Sequence, residues 1–382
     1  MVSSGTSRAA GWFCALTPVE LLTAAGLAPR RLLGGAAPAA ADAYLTPNLC
    51  PYVRSAFAAA LADEPGGPAR PPAVVFTNSC NAMIHLHGAW TGHLGPAFTH
   101  LLSVPRHTGD AATDFFAAAL GGLLDALESF AGRPVTDDDL QAAMAACDEL
   151  RARLRALYAG QVAAAPPLSA SHLLEAARTA ALPPAAALAA LRETGCAQPR
   201  AAPGGAGRPH PHWRPHRPRL LLTGSVLDPA LVAAIDAAAG AAGADVVIDD
   251  LCLGSRYAFL GEEGGTPGAR GARPDPPAGA GGAGRDGLLR RIARAYLERP
   301  PCPRMARGER REAHVLGLLR RFHCHGVLAF ALKFCDTALY DQPRLKTALA
   351  AQGVPTLLCA SEYGAEAAGQ VATRVGAFVE ML

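Results

Sequence analysis

Residues 219–250 read RLLLTGSVLDPALVAAIDAAAGAAGADVVIDD, and the fold is decided there. Arg219-Leu220-Leu221-Leu222-Thr223 is a short apolar run that reads as a buried strand. Gly224-Ser225 breaks it, a helix is expected from about Pro229 to Ala238, and a second strand, Ala244-Asp245-Val246-Val247-Ile248, runs into Asp249-Asp250-Leu251-Cys252. The alternation continues downstream with helices to Glu298 and through Leu319, the strand Val327–Leu332 and a helix to about Ala350. The short strand Thr356-Leu357-Leu358 and a helix from Gly369 to Leu382 close the chain. Strands alternating with helices imply right-handed crossovers and a parallel sheet.

Upstream, Ala73-Val74-Val75-Phe76-Thr77 is another buried-strand run, followed by a helix through Trp90. From about Pro134 to Pro199 the pattern is helical. Thr136-Asp137-Asp138-Asp139 offers N-cap chemistry, apolar positions recur from Leu140 through Leu157, and a second helical stretch is expected from Ala170 to about Ala190. Residues 201–218, AAPGGAGRPHPHWRPHRP, read as a Pro-, Gly- and His-rich linker. The expectation is an α/β protein with two open parallel-sheet domains, Rossmann- or flavodoxin-like, joined by a helical segment. Its divisions are 1–133, a helical 134–200, the linker 201–218, and 219–382.

The 382 residues are 50% hydrophobic and 18% charged, enough for two or three domains at roughly 150 residues each. A net charge of +3 with scattered arginines lacks the basic stripe of a nucleic-acid surface, so no nucleic-acid partner is expected. No stretch approaches the ~18 uninterrupted apolar residues of a membrane span, and Met1–Glu20 lacks the apolar run of a secretory signal. A cytoplasmic protein without a membrane partner is expected. Gly282-Ala283-Gly284-Arg285-Asp286-Gly287 matches GxGxxG, but it ends a Gly/Pro-rich insert (261–287) with no strand before it. There is no GxxxxGK[ST] phosphate loop.

Ten cysteines are present and no CxxC pair, so a metal site would have to be assembled from distant segments. Three cysteines share one kind of position. Cys50 lies in Pro47-Asn48-Leu49-Cys50-Pro51-Tyr52-Val53-Arg54, just before a helix with proline at its first position. Cys80, in Thr77-Asn78-Ser79-Cys80-Asn81, and Cys335, in Lys333-Phe334-Cys335-Asp336, lie where strands end. Ligands of open α/β sheets bind beyond the carboxyl ends of the strands, where helix N-termini favour thiolates. Three soft ligands there suit an iron–sulfur cubane with one iron left open. Buried cysteines acting as small hydrophobes are the competing reading.

Leu49-Cys50-Pro51-Tyr52-Val53-Arg54, Asn78-Ser79-Cys80, Asp249-Asp250-Leu251-Cys252-Leu253-Gly254-Ser255-Arg256 and Lys333-Phe334-Cys335-Asp336 occur in this order. Gly353-Val354-Pro355 and the stretch from Gly369 to Glu380 follow, and Ala24-Ala25-Gly26-Leu27-Ala28-Pro29 stands near the start. Together these resemble the 2-hydroxyacyl-CoA dehydratase and benzoyl-CoA reductase subunits, in particular the D component of 2-hydroxyglutaryl-CoA dehydratase. The resemblance implies a [4Fe–4S] cluster held by Cys50, Cys80 and Cys335 in one of two related subunits. It also implies a separate ATP-dependent iron–sulfur activator protein that injects one low-potential electron. The implied reaction is a ketyl-radical elimination of water from a 2-hydroxyacyl-CoA, that of a hydro-lyase active only with a homologous second subunit. Two alternatives share this cysteine frame: a subunit of an ATP-dependent reductase, of the benzoyl-CoA reductase or double-cubane-cluster kind, and a non-catalytic electron-relay partner. Asn81 stands where many relatives have Asp, and Ser361-Glu362-Tyr363 replaces a more acidic stretch, so the acyl group is not specified.

The three sulfurs are expected to converge between the α/β domains, each at a strand's carboxyl end or a helix start. Cys252 is expected farther off or turned away, and Cys14, Cys147, Cys196 and Cys302 are expected to be remote. His85 and His87 are two apart and diverge on a helix, so at most one could face the site. His323-Cys324-His325 is expected at a turn. Arg256 and Arg374 are candidates for binding the CoA phosphates, with intramolecular pairing as the alternative.

Overall fold

The computed structural model describes residues 8–163, 166–193, 217–260, 284–364 and 368–382. The first sheet contains β1 (Ala9–Trp12), β2 (Ala28–Arg31), β3 (Ala73–Thr77) and β4 (Phe98–Leu102), in the spatial order β2-β1-β3-β4. The second contains β5 (Arg219–Gly224), β6 (Asp245–Asp250), β7 (Gly326–Leu332) and β8 (Thr356–Ser361), in the order β6-β5-β7-β8. Every pairing is parallel, so the expected class of two open parallel sheets with helices is what the chain adopts.

Both sheets follow one plan. The chain steps outward from the first strand to the second, then crosses to the first strand's other side. The direction of winding therefore reverses between β1 and β3 and again between β5 and β7. A crevice opens at such reversals, beyond the carboxyl ends of the strands. At the second reversal only glycine fits: a Cβ on Gly224 would lie 1.9 Å from the Phe330 carbonyl oxygen of the adjacent strand. Ser225 follows, its N–H donating to Phe330 O (3.2 Å) and its hydroxyl accepting from Leu332 N (3.1 Å).

Strands β3, β5, β6 and β7 are buried along nearly their whole length, as their continuous apolar runs require. The sequence reading did not contain β1, β2 or β4. β1 is only Ala-Ala-Gly-Trp, β2 is Ala-Pro-Arg-Arg on a sheet edge where a proline is tolerated, and β4 is half-exposed. The single helical stretch expected from Ala170 to about Ala190 is interrupted. Helix α6 (Ala170–Arg178) and a 3-10 turn (Thr179–Ala181) come before Pro183-Pro184, and α7 (Pro184–Glu193) starts at the second proline. A proline disfavours the helical conformation in the residue before it and cannot donate into the preceding turn.

Helix α5 (Asp137–Gly160) ties the two halves together. Its Leu140, Ala143 and Cys147 pack in a core with β1, α1 (Val19–Ala24) and α4 (Asp110–Ala131). Its Leu150, Leu154, Leu157 and Tyr158 pack with α6, α7 and one face of the second sheet. α10 (Arg285–Glu298), although it lies within 219–382, buries Leu288, Leu289, Ile292 and Tyr296 in the first of these cores. That return brings the chain after α10 back to the first sheet. α5 starts with a capping box: Asp139 N–H donates to Thr136 Oγ1 at 3.1 Å and Thr136 N–H to Asp139 Oδ2 at 3.0 Å. Thr136→Ala is expected to lower stability by about 1 kcal/mol, read as a lower denaturant midpoint with an unchanged slope. Among the described residues, no helix is long and apolar enough to cross a membrane.

Candidate metal centre

The loops leaving the carboxyl ends of both sheets enclose one cavity of about 130 Å³. Cys50, Cys80 and Cys335 all line it, and each is the N-cap residue of a helix: α2 (Pro51–Leu61), α3 (Asn81–Leu94) and α12 (Asp336–Ala350) respectively. Cys80 follows β3 and Cys335 follows β7, so the two winding reversals face each other across the cavity. The turn into Cys335 is held by Phe334 at φ 58°, a left-handed conformation that bulky residues seldom adopt.

The helix starts act on the sulfurs. The N–H groups of Tyr52 and Val53 favour the Cys50 thiolate, those of Ala82 and Met83 the Cys80 thiolate, and that of Ala338 the Cys335 thiolate. Burial works the other way and dominates at Cys80, which is pushed up to about 11. Cys50 and Cys335 act on each other: the Cys50 thiol beside it lowers Cys335 to about 6 against its burial, and the same proximity, with burial, raises Cys50 well above an ordinary thiol.

Two expectations are corrected. Cys252 does not turn away, and Cys14 and Cys302 are not remote: all three line the same cavity. Cys14 follows β1, Cys252 follows β6, and Cys302 lies between α10 and α11 (Gly308–Arg321). Cys302 arrives there because α10 docks on the first half. Arg299 Nη1 then donates to Ala15 O, and Arg304 donates to the carbonyls of Ser79 (3.1 Å), Pro105 (3.0 Å) and Val104 (3.0 Å). A local signal for this existed in Arg299-Pro300-Pro301-Cys302-Pro303-Arg304, a rigid turn carrying a cysteine between two arginines.

The remaining candidates lie elsewhere. Cys147 is fully buried in the core that α5 shares with the first sheet, and Cys196 is outside the described residues. Cys324 is in the turn before β7, at the opposite end of that strand from Cys335, and burial pushes it up to about 12. His85 is exposed on α3, and His87 packs on the Phe76 ring with centroids 5.2 Å apart. Neither histidine lines the cavity. Arg374 is exposed and donates to Leu358 O at 2.8 Å.

Arg256 is held internally. Its Nε and Nη2 donate to the two oxygens of Asp250 at 2.7 and 2.8 Å. Arg311 Nη1 and Thr223 Oγ1 donate to Asp250 Oδ2 at 2.8 and 2.7 Å, and His314 Nε2 approaches Oδ1 at 3.3 Å. Burial alone would raise the Asp250 carboxyl, but the two guanidinium groups overrule it and hold it well below the usual carboxylate range. Next to it, Asp249 accepts from Tyr158 Oη (2.5 Å) and from the Leu251 and Ser255 N–H groups (2.9 and 3.0 Å), and burial raises its carboxyl. These two aspartates fix the loop that carries Cys252.

No carboxylate or histidine is on the cavity lining, which is made of six cysteines, four arginines, the hydroxyl-bearing Tyr52, Ser79, Ser225 and Thr337, and apolar groups. Such a wall does not suit a hard cation, which needs oxygen ligands. Among the described residues, no three His, Cys, Asp or Glu side chains close around a point the size of one metal ion. Thiols spread around a cavity fit a polynuclear iron–sulfur centre, in which each thiolate binds its own iron.

The fold and site are those of an α/β protein whose two parallel sheets meet at their winding reversals around a cysteine-lined cavity. The chain belongs to the 2-hydroxyglutaryl-CoA dehydratase D-component family, whose model matches residues 14–382. It is also similar to one of the subunits of benzoyl-CoA reductase from Thauera aromatica, 26% identical over 148 residues. That match spans 37% of this chain and 37% of the relative, well short of the relative's full length.

Proposed function

We propose that this chain is the iron–sulfur subunit of a 2-hydroxyacyl-CoA dehydratase, a hydro-lyase of the cytoplasm, with one [4Fe–4S] cluster held by Cys50, Cys80 and Cys335. The observation that carries the reading is that three cysteines far apart in sequence cap three helices around one cavity. When bound, the cluster supplies one low-potential electron to the substrate thioester, received from a separate ATP-dependent activator protein. The chain's own residues bind and shield: Phe13, Leu16, Met83, Val226 and Leu332 give the cavity an apolar wall that excludes water. The catalytic unit in this reading includes a homologous second subunit. The division into 1–133, 134–200, 201–218 and 219–382 is part of the same proposal.

A second reading, a reductase subunit of the double-cubane-cluster kind, is favoured by one observation: Cys14, Cys252 and Cys302 give the cavity a second set of three thiols. Iron analysis of the anaerobically reconstituted chain separates the two. Roughly four irons per chain supports the dehydratase reading, and roughly eight supports the second. Dehydration of a 2-hydroxyacyl-CoA is expected only with the partner subunit, activator, ATP and a strong reductant, and to be lost in air. Turnover by this chain alone in air would overturn the radical mechanism.

A further inference from the structure

Arg31, Arg299 and Arg304 line the cavity and are only 4%, 3% and 6% exposed. Other deeply buried arginines have carboxylate partners: Arg151 pairs with Glu20, and Arg256 and Arg311 pair with Asp250. These three meet none among the described residues. Arg31 donates to Phe13 O (2.8 Å), Cys252 O (3.4 Å) and Cys252 Sγ (3.2 Å), and Arg304 bonds three carbonyls. Arg299 reaches Ala15 O through Nη1, while its Nε is buried with no hydrogen-bond partner among the described residues. Carbonyl oxygens satisfy N–H groups without cancelling their charge, and buried cations with no anion destabilise a fold. Of the groups on this lining, only the cysteines readily become anions.

The geometry points to Arg31, Arg299 and Arg304 as the counter-charge of an anionic metal–thiolate centre in this cavity, retaining it and raising its reduction potential. The inference rests on the cluster reading above. Reduction transfers one electron from an external low-potential reductant to the centre, with no bond made or broken, and leaves it one charge more negative. A fixed neighbouring cation stabilises that state more than the oxidised one. The three arginines are therefore positioning residues that act through the centre.

The test uses the full chain reconstituted anaerobically with iron and sulfide, titrated with dithionite and followed by electron paramagnetic resonance. Arg31→Gln, Arg299→Gln and Arg304→Gln should each shift the one-electron equilibrium about tenfold toward the oxidised form, about 59 mV more negative. Arg304→Lys, which keeps the charge, should recover most of its shift, and the surface variant Arg344→Gln should show none. The cluster-free Arg299→Gln protein should melt no lower than cluster-free wild type, because it has lost an uncompensated buried cation. Glutamine variants that load iron fully and titrate like wild type overturn the proposal alone, as does a clearly lower melting temperature for cluster-free Arg299→Gln. A wild-type chain that takes up no iron overturns the cluster reading, and this proposal with it.

Discussion

Cys50→Ser, Cys80→Ser and Cys335→Ser are each expected to abolish the brown colour and most of the iron of the anaerobically reconstituted protein, while Cys147→Ala keeps both. A serine hydroxyl is a hard, weakly acidic donor and is a poor replacement for a thiolate on iron. The loss should be close to complete, because each cysteine caps a different helix and no other thiol stands at that helix start. Cys147 is a fair control since it is fully buried in a separate core. Cys14 is not, because it shares the cavity. Single serine variants that retain full iron would remove the ligand assignment. If only Cys14→Ser, Cys252→Ser and Cys302→Ser lost iron, the centre would lie on the other cysteine set.

Asp250→Asn is expected to destabilise the fold by about 3–5 kcal/mol, the range for removing one partner of a buried ion pair. The variant leaves Arg256 buried with no carboxylate and removes from Arg311 one of its two, the other being Asp341 at 2.5 Å. Denaturant melts of the cluster-free protein would measure the change, and a loss under 1 kcal/mol would mean that the network does not hold this region. The dependence on pH carries a sign. Asp250 is depressed in the folded chain, so its contribution is fully present above the unfolded carboxyl pKa of about 3.9 and fades as the pH falls through the folded value. The wild type should lose this share below about pH 4, and Asp250→Asn should not. Asp249, raised by burial and further by the Asp250 charge beside it, contributes with the opposite sign, and Asp250→Asn removes the part of that rise which Asp250 causes.

The fold class is legible in local pattern alone. Continuous apolar runs such as 73–77, 219–223 and 327–332 suit only strands covered on both faces, and the helical stretches between them dictate right-handed crossovers and parallel pairing. The same pattern puts Cys50, Cys80 and Cys335 at helix starts, because the proline after Cys50 and the strand ends before Cys80 and Cys335 are local signals. What local pattern carries stops there. β1 and β2 exist because neighbouring strands and helices cover them, not because Ala-Ala-Gly-Trp or Ala-Pro-Arg-Arg favours extension. It took the packed chain to bring Cys14, Cys252 and Cys302 to the cavity, to neutralise Arg256 with Asp250, and to leave Arg31, Arg299 and Arg304 without a carboxylate among the described residues. For Arg299, Cys302 and Arg304 the cause is the docking of α10 against α4 across a long sequence separation. Such docking depends on complementary side-chain surfaces on two distant helices, and neither helix encodes its partner in its own periodicity.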